Sequence, residues 1–169
     1  AGVRLTALTS SWAPFIVHAA TFLGPDGRIA MVAPSELLHA AYAQPVLDFL
    51  GRHFRRVRVL TFARRLFPHL SEDTVLILGE GYGLGPGAID LVPLEDASAL
   101  ADADAQKLTG VAIRPHSSGG GAVRSIAFLL PERVRALYGQ LADHSGVARL
   151  ATLATAGIGY VTGRNDFFH

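Results

Sequence analysis

Six arginines crowd one short stretch of the chain, and an aromatic–proline pair follows them. "RHFRRVRVLTFARR" sets Arg52, Arg55, Arg56, Arg58, Arg64 and Arg65 around a run that alternates like a strand. Such a cluster either charges a strand edge against aggregation or contacts phosphates. "RLFPHLSEDTVLILGEG", Arg65 to Gly81, then places Phe67 and Pro68 between the basic patch and a clean apolar strand. A large ring beside a rigid proline is either a core residue at a hairpin turn or a platform for a flat ligand such as a nucleobase. The formal net charge is only +1, so any affinity for nucleic acid must come from local clustering of arginine.

Other chemistries are poorly served. "GLGPGA", Gly83 to Ala88, fits a dinucleotide-binding G-x-G-x-x-A after a strand. A pyrophosphate needs a helix N-terminus behind those glycines, whereas "IDLVPL" follows and reads as strand; a nicotinamide enzyme would require a helix at Ile89. The seven histidines are scattered without H-x-x-x-H spacing, which argues against a metal site. Ser117 and Ser118 lie in a glycine-rich stretch without a G-x-S-x-G elbow. The acidic residues of "LEDASALADADA" are spaced as on a solvated edge. The chain has no cysteine, which excludes disulfides and thiolate sites and fits a reducing cytoplasm. No apolar run reaches membrane-spanning length, and no basic-then-apolar signal sequence opens the chain.

The elements that must position these residues follow from period and punctuation. With 169 residues and 50% hydrophobic content, the chain has enough apolar material for a real core. "TSSWAPFIVHAATFLGPDGR" reads as a helix capped by Ser10 or Ser11, with Phe15, His18, Ala19 and Phe22 at helical spacing and a stop at Gly24 to Gly27. "RIAMVAP" is wholly apolar, as a strand buried on both faces would be. "SELLHAAYAQPVLDFLGRHF" predicts a second helix, capped by Ser35 and kinked at Pro45, with Leu37, Leu38, Tyr42, Val46 and Phe49 on one side. "RVRVLTF" and "TVLILGEG" are two strands of an antiparallel hairpin. "AIDLVPL" is a short strand, and "PERVRALYGQLADH" is a helix with Pro131 at its start. This is the closing half of an α/β sheet.

The ordered series resembles the region after the catalytic motif in gamma-class adenine-specific amino DNA methyltransferases. In that family a helix with an aromatic in its first turns runs into L-x-P-x-G. Here that is Leu23, Pro25 and Gly27, followed by the buried strand Arg28 to Pro34. The next helix, the basic strand, the Phe-Pro turn and "TVLILGEG" keep the family order, and "GYVTGRNDFF", Gly159 to Phe168, resembles the start of a target-recognition region. The resemblance covers Leu8 to Gly81 and Gly157 to Phe168. The family's cofactor-binding glycine loop and its Asn/Asp-Pro-Pro-aromatic motif are absent, so the chain carries no catalytic residue of the family; both are expected upstream of Ala1.

The resemblance implies a partial Rossmann-like class I methyltransferase α/β fold, supplying the last helices and strands of a mixed sheet that ends in an antiparallel hairpin. It implies residues 1–81 as the C-terminal half of a catalytic domain, 82–157 as a variable extension and 158–169 as the start of target recognition. The cofactor would be S-adenosylmethionine (SAM), donating its methyl group by direct displacement to the amino nitrogen of adenine in double-stranded DNA. Phe15 occupies the position packed beside the cofactor's adenine. Phe67, backed by Pro68, occupies the position that stacks an extruded target base. Arg55, Arg56, Arg64 and Arg65 would hold flanking phosphates. The expected setting is a prokaryotic, cytoplasmic restriction–modification system. The expected partners are the missing half of the domain or a completing chain, and the fragment is expected to dimerise. The rival expectation is a non-catalytic DNA-binding or assembly subunit that keeps the fold without the chemistry.

Overall fold

The computed structural model describes residues 2–6, 9–101, 108–113, 129–142 and 144–157. They fall into two compact units, Ala1–Pro131 and Glu132–His169. The first is built on a five-stranded mixed sheet of order β1-β3-β2-β4-β5. Its strands are β1 (Ile29–Pro34), β2 (Phe54–Phe62), β3 (Thr74–Tyr82), β4 (Ala88–Leu94) and β5 (Val111–Ile113). β3 is antiparallel to both β1 and β2, and β4 runs parallel to β2. The expected hairpin is therefore β2–β3, with β3 inserted between β2 and β1. The sheet continues past Gly81, through β4 and β5. β1, β2 and β4 point the same way, and their carboxyl ends share one rim. Pro34 pairs with Thr74, and Phe62 pairs with Leu94.

One sheet face carries the core. Val57, Val59, Val75, Ile77, Ile89, Leu91 and Ile113 alternate onto it and are buried against helices α1 (Trp12–Ala20) and α2 (Gln44–His53). Each such side chain stabilises the fold by roughly 1.5–3 kcal/mol. α1 lies where its period predicts, but its buried stripe is Trp12, Ala13, Ile16, Val17 and Ala20. Phe15 and Phe22 point outward. Ser11 occupies the N-cap without a side-chain capping bond.

Two further expectations are corrected. β1 lies at the edge of the sheet with partly exposed residues on both faces, and is not buried on both as its apolar run suggests. Only its β3 side is paired among the described residues, so Val32 stays half exposed. The region after β1 is not one kinked helix either. It is two 3-10 turns, Ser35–Leu38 and Ala41–Ala43, and α2 starts afresh with Pro45 in its first turn. A proline costs little there because the first N–H groups of a helix have no intrahelical partner.

After β4 a short helix, α3, spans Ser98–Ala101. In the second unit, α4 (Glu132–Ala142) and α5 (Leu150–Leu153) are both exposed. The expected recognition segment 158–169 lies outside the described residues, as do Ser117 and Ser118. Among the described residues no helix is long and apolar enough to cross a membrane.

Candidate functional site

The rim at the carboxyl ends of β1, β2 and β4 carries Phe67, Pro68, Arg64 and Arg65 in the connection that follows β2. In open α/β sheets this is the side where loops diverge and ligands bind. Residues 63–73 connect β2 to β3 there and carry Phe67. The Leu70 N–H donates to the Phe67 carbonyl at 3.0 Å, closing a four-residue turn with Pro68 at its second position. Proline's fixed φ suits that place. Neighbouring backbone holds the connection at both ends. Ala63 N–H donates to Leu94 O and Arg64 N–H to Glu95 O, both at 2.9 Å, while Ser35 N–H donates to Asp73 O at 2.8 Å. The Phe67 ring is 44% exposed, so it is not a core residue of the hairpin. A shallow cavity of about 210 Å³ lies beside the turn, between Val32, Pro34, Leu70 and Glu72.

α1 runs back against β1, so its first turn reaches the same rim. A hydrogen-bonded cluster ties it there. The Trp12 Nε1–H donates to Glu36 Oε2 at 3.3 Å, and the Tyr42 hydroxyl donates to the same oxygen. Those bonds, Tyr42's first, hold the Glu36 carboxyl below its ordinary range, against a smaller opposing effect of burial. Burial, and then the bond to Glu36, pushes the Tyr42 hydroxyl up. Nothing in the local sequence marks Glu36 as a hub. Its donors stand 24 and 6 residues away. One turn along from Trp12, Phe15 is 63% exposed. Helix–sheet packing therefore does not account for that ring.

The arginines divide. Arg55 and Arg56 open β2, at the opposite end of a nine-residue strand from Arg64 and Arg65; at about 3.3 Å per residue the two groups are roughly 25 Å apart. Arg55 is exposed and makes no ion pair among the described residues. Arg56 Nε lies 3.3 Å from Asp90. Arg64 reaches Glu95 at 3.5 Å and Asp96 at 3.7 Å, and Arg65 Nε lies 2.8 Å from Asp73. The six arginines of the sequence cluster are thus not one basic patch.

The glycine-rich stretch after β3 serves the fold. Gly83 N–H donates to His53 O at 2.7 Å and Gly87 N–H to Gly51 O at 2.9 Å, so both amides satisfy the end of α2. A Cβ on Gly87 would sit 2.0 Å from the Arg55 carbonyl oxygen. A strand, not a helix, follows at Ala88–Leu94, which removes the nicotinamide alternative. Among the described residues no cluster of His, Asp or Glu could hold a metal ion.

No family model matches the sequence. No curated protein matches it either. Solved structures do. The chain overlays on part of DrdV in its DNA complex with a TM-score of 0.52 and 14% identity, over 66% of this chain and 14% of that one. The ATP-dependent type ISP restriction–modification enzyme LlaBIII bound to DNA gives 0.44 and 11%, over 54% of this chain and 8% of that one. The M protein of the type I restriction enzyme EcoKI gives 0.36 and 20%, over 50% and 20%. The latter two overlaps are too low to carry an argument. The first shows a shared fold: a mixed α/β sheet like that of a small part of a much longer protein.

Proposed function

We propose that this chain is the closing portion of the catalytic domain of a SAM-dependent DNA adenine methyltransferase of the restriction–modification kind. In this reading Phe67 stacks an adenine extruded from double-stranded DNA, and Phe15 packs beside the adenine of the cofactor. The observation that carries the reading is the exposure of both rings, Phe67 in the turn at the carboxyl-end rim and Phe15 on the outward side of α1, which core packing does not explain. The likeness of fold to DrdV, whose structure is a DNA complex, supports it, as does the ordered sequence resemblance.

The chemistry asks for such a ring. A base inside a duplex cannot present its amino nitrogen for reaction, so it must leave the stack. An aromatic face restores about 1–3 kcal/mol of the stacking lost per base. The proline in the turn reduces the freedom that binding would have to remove. SAM supplies the methyl group, and a free aromatic face on the first turns of α1 fits one side of an adenine. That is one wall of a pocket, and the remaining walls are assigned to the completing half of the domain. That half also fits the edge of β1 that is unpaired among the described residues.

The test uses the protein that carries both halves. Phe67→Ala is expected to lower single-turnover methylation by roughly ten- to a hundred-fold with SAM affinity unchanged. Phe67→Trp and Phe67→Tyr keep much of the rate because each retains a π face, whereas Phe67→Leu does not. Leu outperforming Trp would overturn the stacking role. Calorimetry showing micromolar SAM binding to the 169-residue chain alone would overturn its assignment as half of a pocket.

A further inference from the structure

We infer that Arg65 is a positioning residue that clamps the Phe67 turn, and that it does not contact phosphate. The inference rests on the reading of Phe67 as the stacking ring and adds what holds that ring in place. One guanidinium touches two points of the connection. Arg65 Nε meets Asp73 Oδ1 at 2.8 Å, and Arg65 Nη1 donates to the Leu70 carbonyl at 3.4 Å. Asp73 is the last residue before β3, so the first contact closes the neck of the connection. Leu70 is the residue whose N–H closes the turn on Phe67, so the second contact grips the turn itself. Asp73 is in turn fixed to the end of β1 through the bond from Ser35. A chain of contacts therefore runs from the sheet through Asp73 and Arg65 to the turn that presents Phe67. The forked, planar guanidinium makes this possible where a lysine ammonium, a single point charge, could not reach both.

Arg64 is the contrast. Its two carboxylate contacts are longer, at 3.5 and 3.7 Å, and its side chain is 73% exposed. It can exchange those partners for a phosphate without releasing the turn.

The test combines hydrogen exchange and DNA binding on the 169-residue chain, as wild type, Arg65→Gln, Arg65→Lys and Asp73→Asn. The DNA probe is a duplex in which 2-aminopurine is flanked by abasic sites on its own strand, so that it is unstacked and bright until an aromatic face stacks on it, titrated at two salt concentrations. Amides from Leu66 to Glu72 are expected to exchange about two- to five-fold faster in Arg65→Gln and Asp73→Asn, the size of one solvent-screened ion pair. Those of β2 and β3 should not change. Arg65→Lys should recover part of the protection. Both clamp-breaking variants should lose quenching together, with the salt slope of binding unaltered.

A phosphate role predicts the reverse for Asp73→Asn, since freeing Arg65 would tighten binding. It also predicts that Arg65→Gln lowers the salt slope by about 1. Unchanged exchange in either clamp-breaking variant, or tighter binding by Asp73→Asn, overturns the clamp. Faster exchange in both variants supports the clamp even on a chain whose wild type never quenches the probe, and the stacking role is then decided separately by Phe67→Ala in the protein that carries both halves.

Discussion

The two ends of β2 use arginine in opposite ways. Toward its amino end, Arg56 and Arg58 alternate onto the sheet face that is not covered by α1 and α2, and each lies against a carboxylate from a neighbouring strand. Arg56 meets Asp90 on β4 and Arg58 meets Glu80 on β3, at 3.3 and 3.5 Å. Arg58 is only 3% exposed. Just past the carboxyl end, Arg64 and Arg65 lie in a connection, paired with acids but open to water. Residue type and sequence proximity made these six one group. Strand alternation and burial separate them into charges whose pairs belong to the sheet and charges that can serve a site.

Arg58 offers the strongest way to break this comparison. Removing it breaks the pair between a buried guanidinium and the Glu80 carboxylate 3.5 Å away, and breaking a buried ion pair from one side typically costs about 3–5 kcal/mol. Arg58→Met should therefore lower the urea midpoint severely. The double variant Arg58→Met/Glu80→Met should regain most of the loss, because an apolar pair of similar size replaces a buried ion pair at little net cost. Arg64→Met, at the other end, should shift the midpoint by a few tenths of a kcal/mol at most. Equal losses at Arg58 and Arg64 would show that the two ends are not distinct.

A smaller effect tests whether the rim has structural members of its own. Glu36 receives the Tyr42 hydroxyl and the Trp12 N–H, and its folded-state pKa is lowered. A lowered carboxylate adds stability above its unfolded value, near 4.5, and that stability is lost as pH falls through the folded value. Tyr42→Phe removes the first donor and should cost about 1 kcal/mol at pH 6, below the roughly 1.5–3 kcal/mol of a bond to a charged group because the site is only half buried. The gap between wild type and variant should shrink on acidification below pH 4.5. A gap independent of pH between 6 and 3 would mean that Tyr42 matters through packing alone.

Element types were legible in the sequence, while faces and edges were less so. α1 carries two apolar stripes at one helical period, Phe15 with Phe22 and Trp12 with Ile16. Periodicity cannot choose between them; packing buried the second. "IAMVAP" reads the same whether a strand has two neighbours or one, so the edge position of β1 was hidden. Pro45 was legible as an interruption, yet whether it kinks a helix or starts one depends on backbone geometry upstream. The turn at Phe67 and Pro68 was the best-read part of the site, because the fixed φ of proline acts locally. The Trp12–Glu36–Tyr42 cluster was missed, since only the fold brings its members together.

The smallest expected effect concerns the aromatic rings, and its smallness is the point. A core phenylalanine such as Phe54, fully buried, should cost about 3–5 kcal/mol when cut to alanine. Phe67 loses only part of its surface to the fold, so Phe67→Ala should cost about 1 kcal/mol or less. Phe15, more exposed still, should cost less again. Trp and Leu at position 67 should then melt within a degree or two of one another, since neither overpacking nor a cavity arises at a half-open site. Thermal melting of these variants checks this directly. A drop for Phe67→Ala as large as that for Phe54→Ala would make the ring a structural anchor, and the division between the buried face of the sheet and its open rim would fail at the residue on which the proposed function depends.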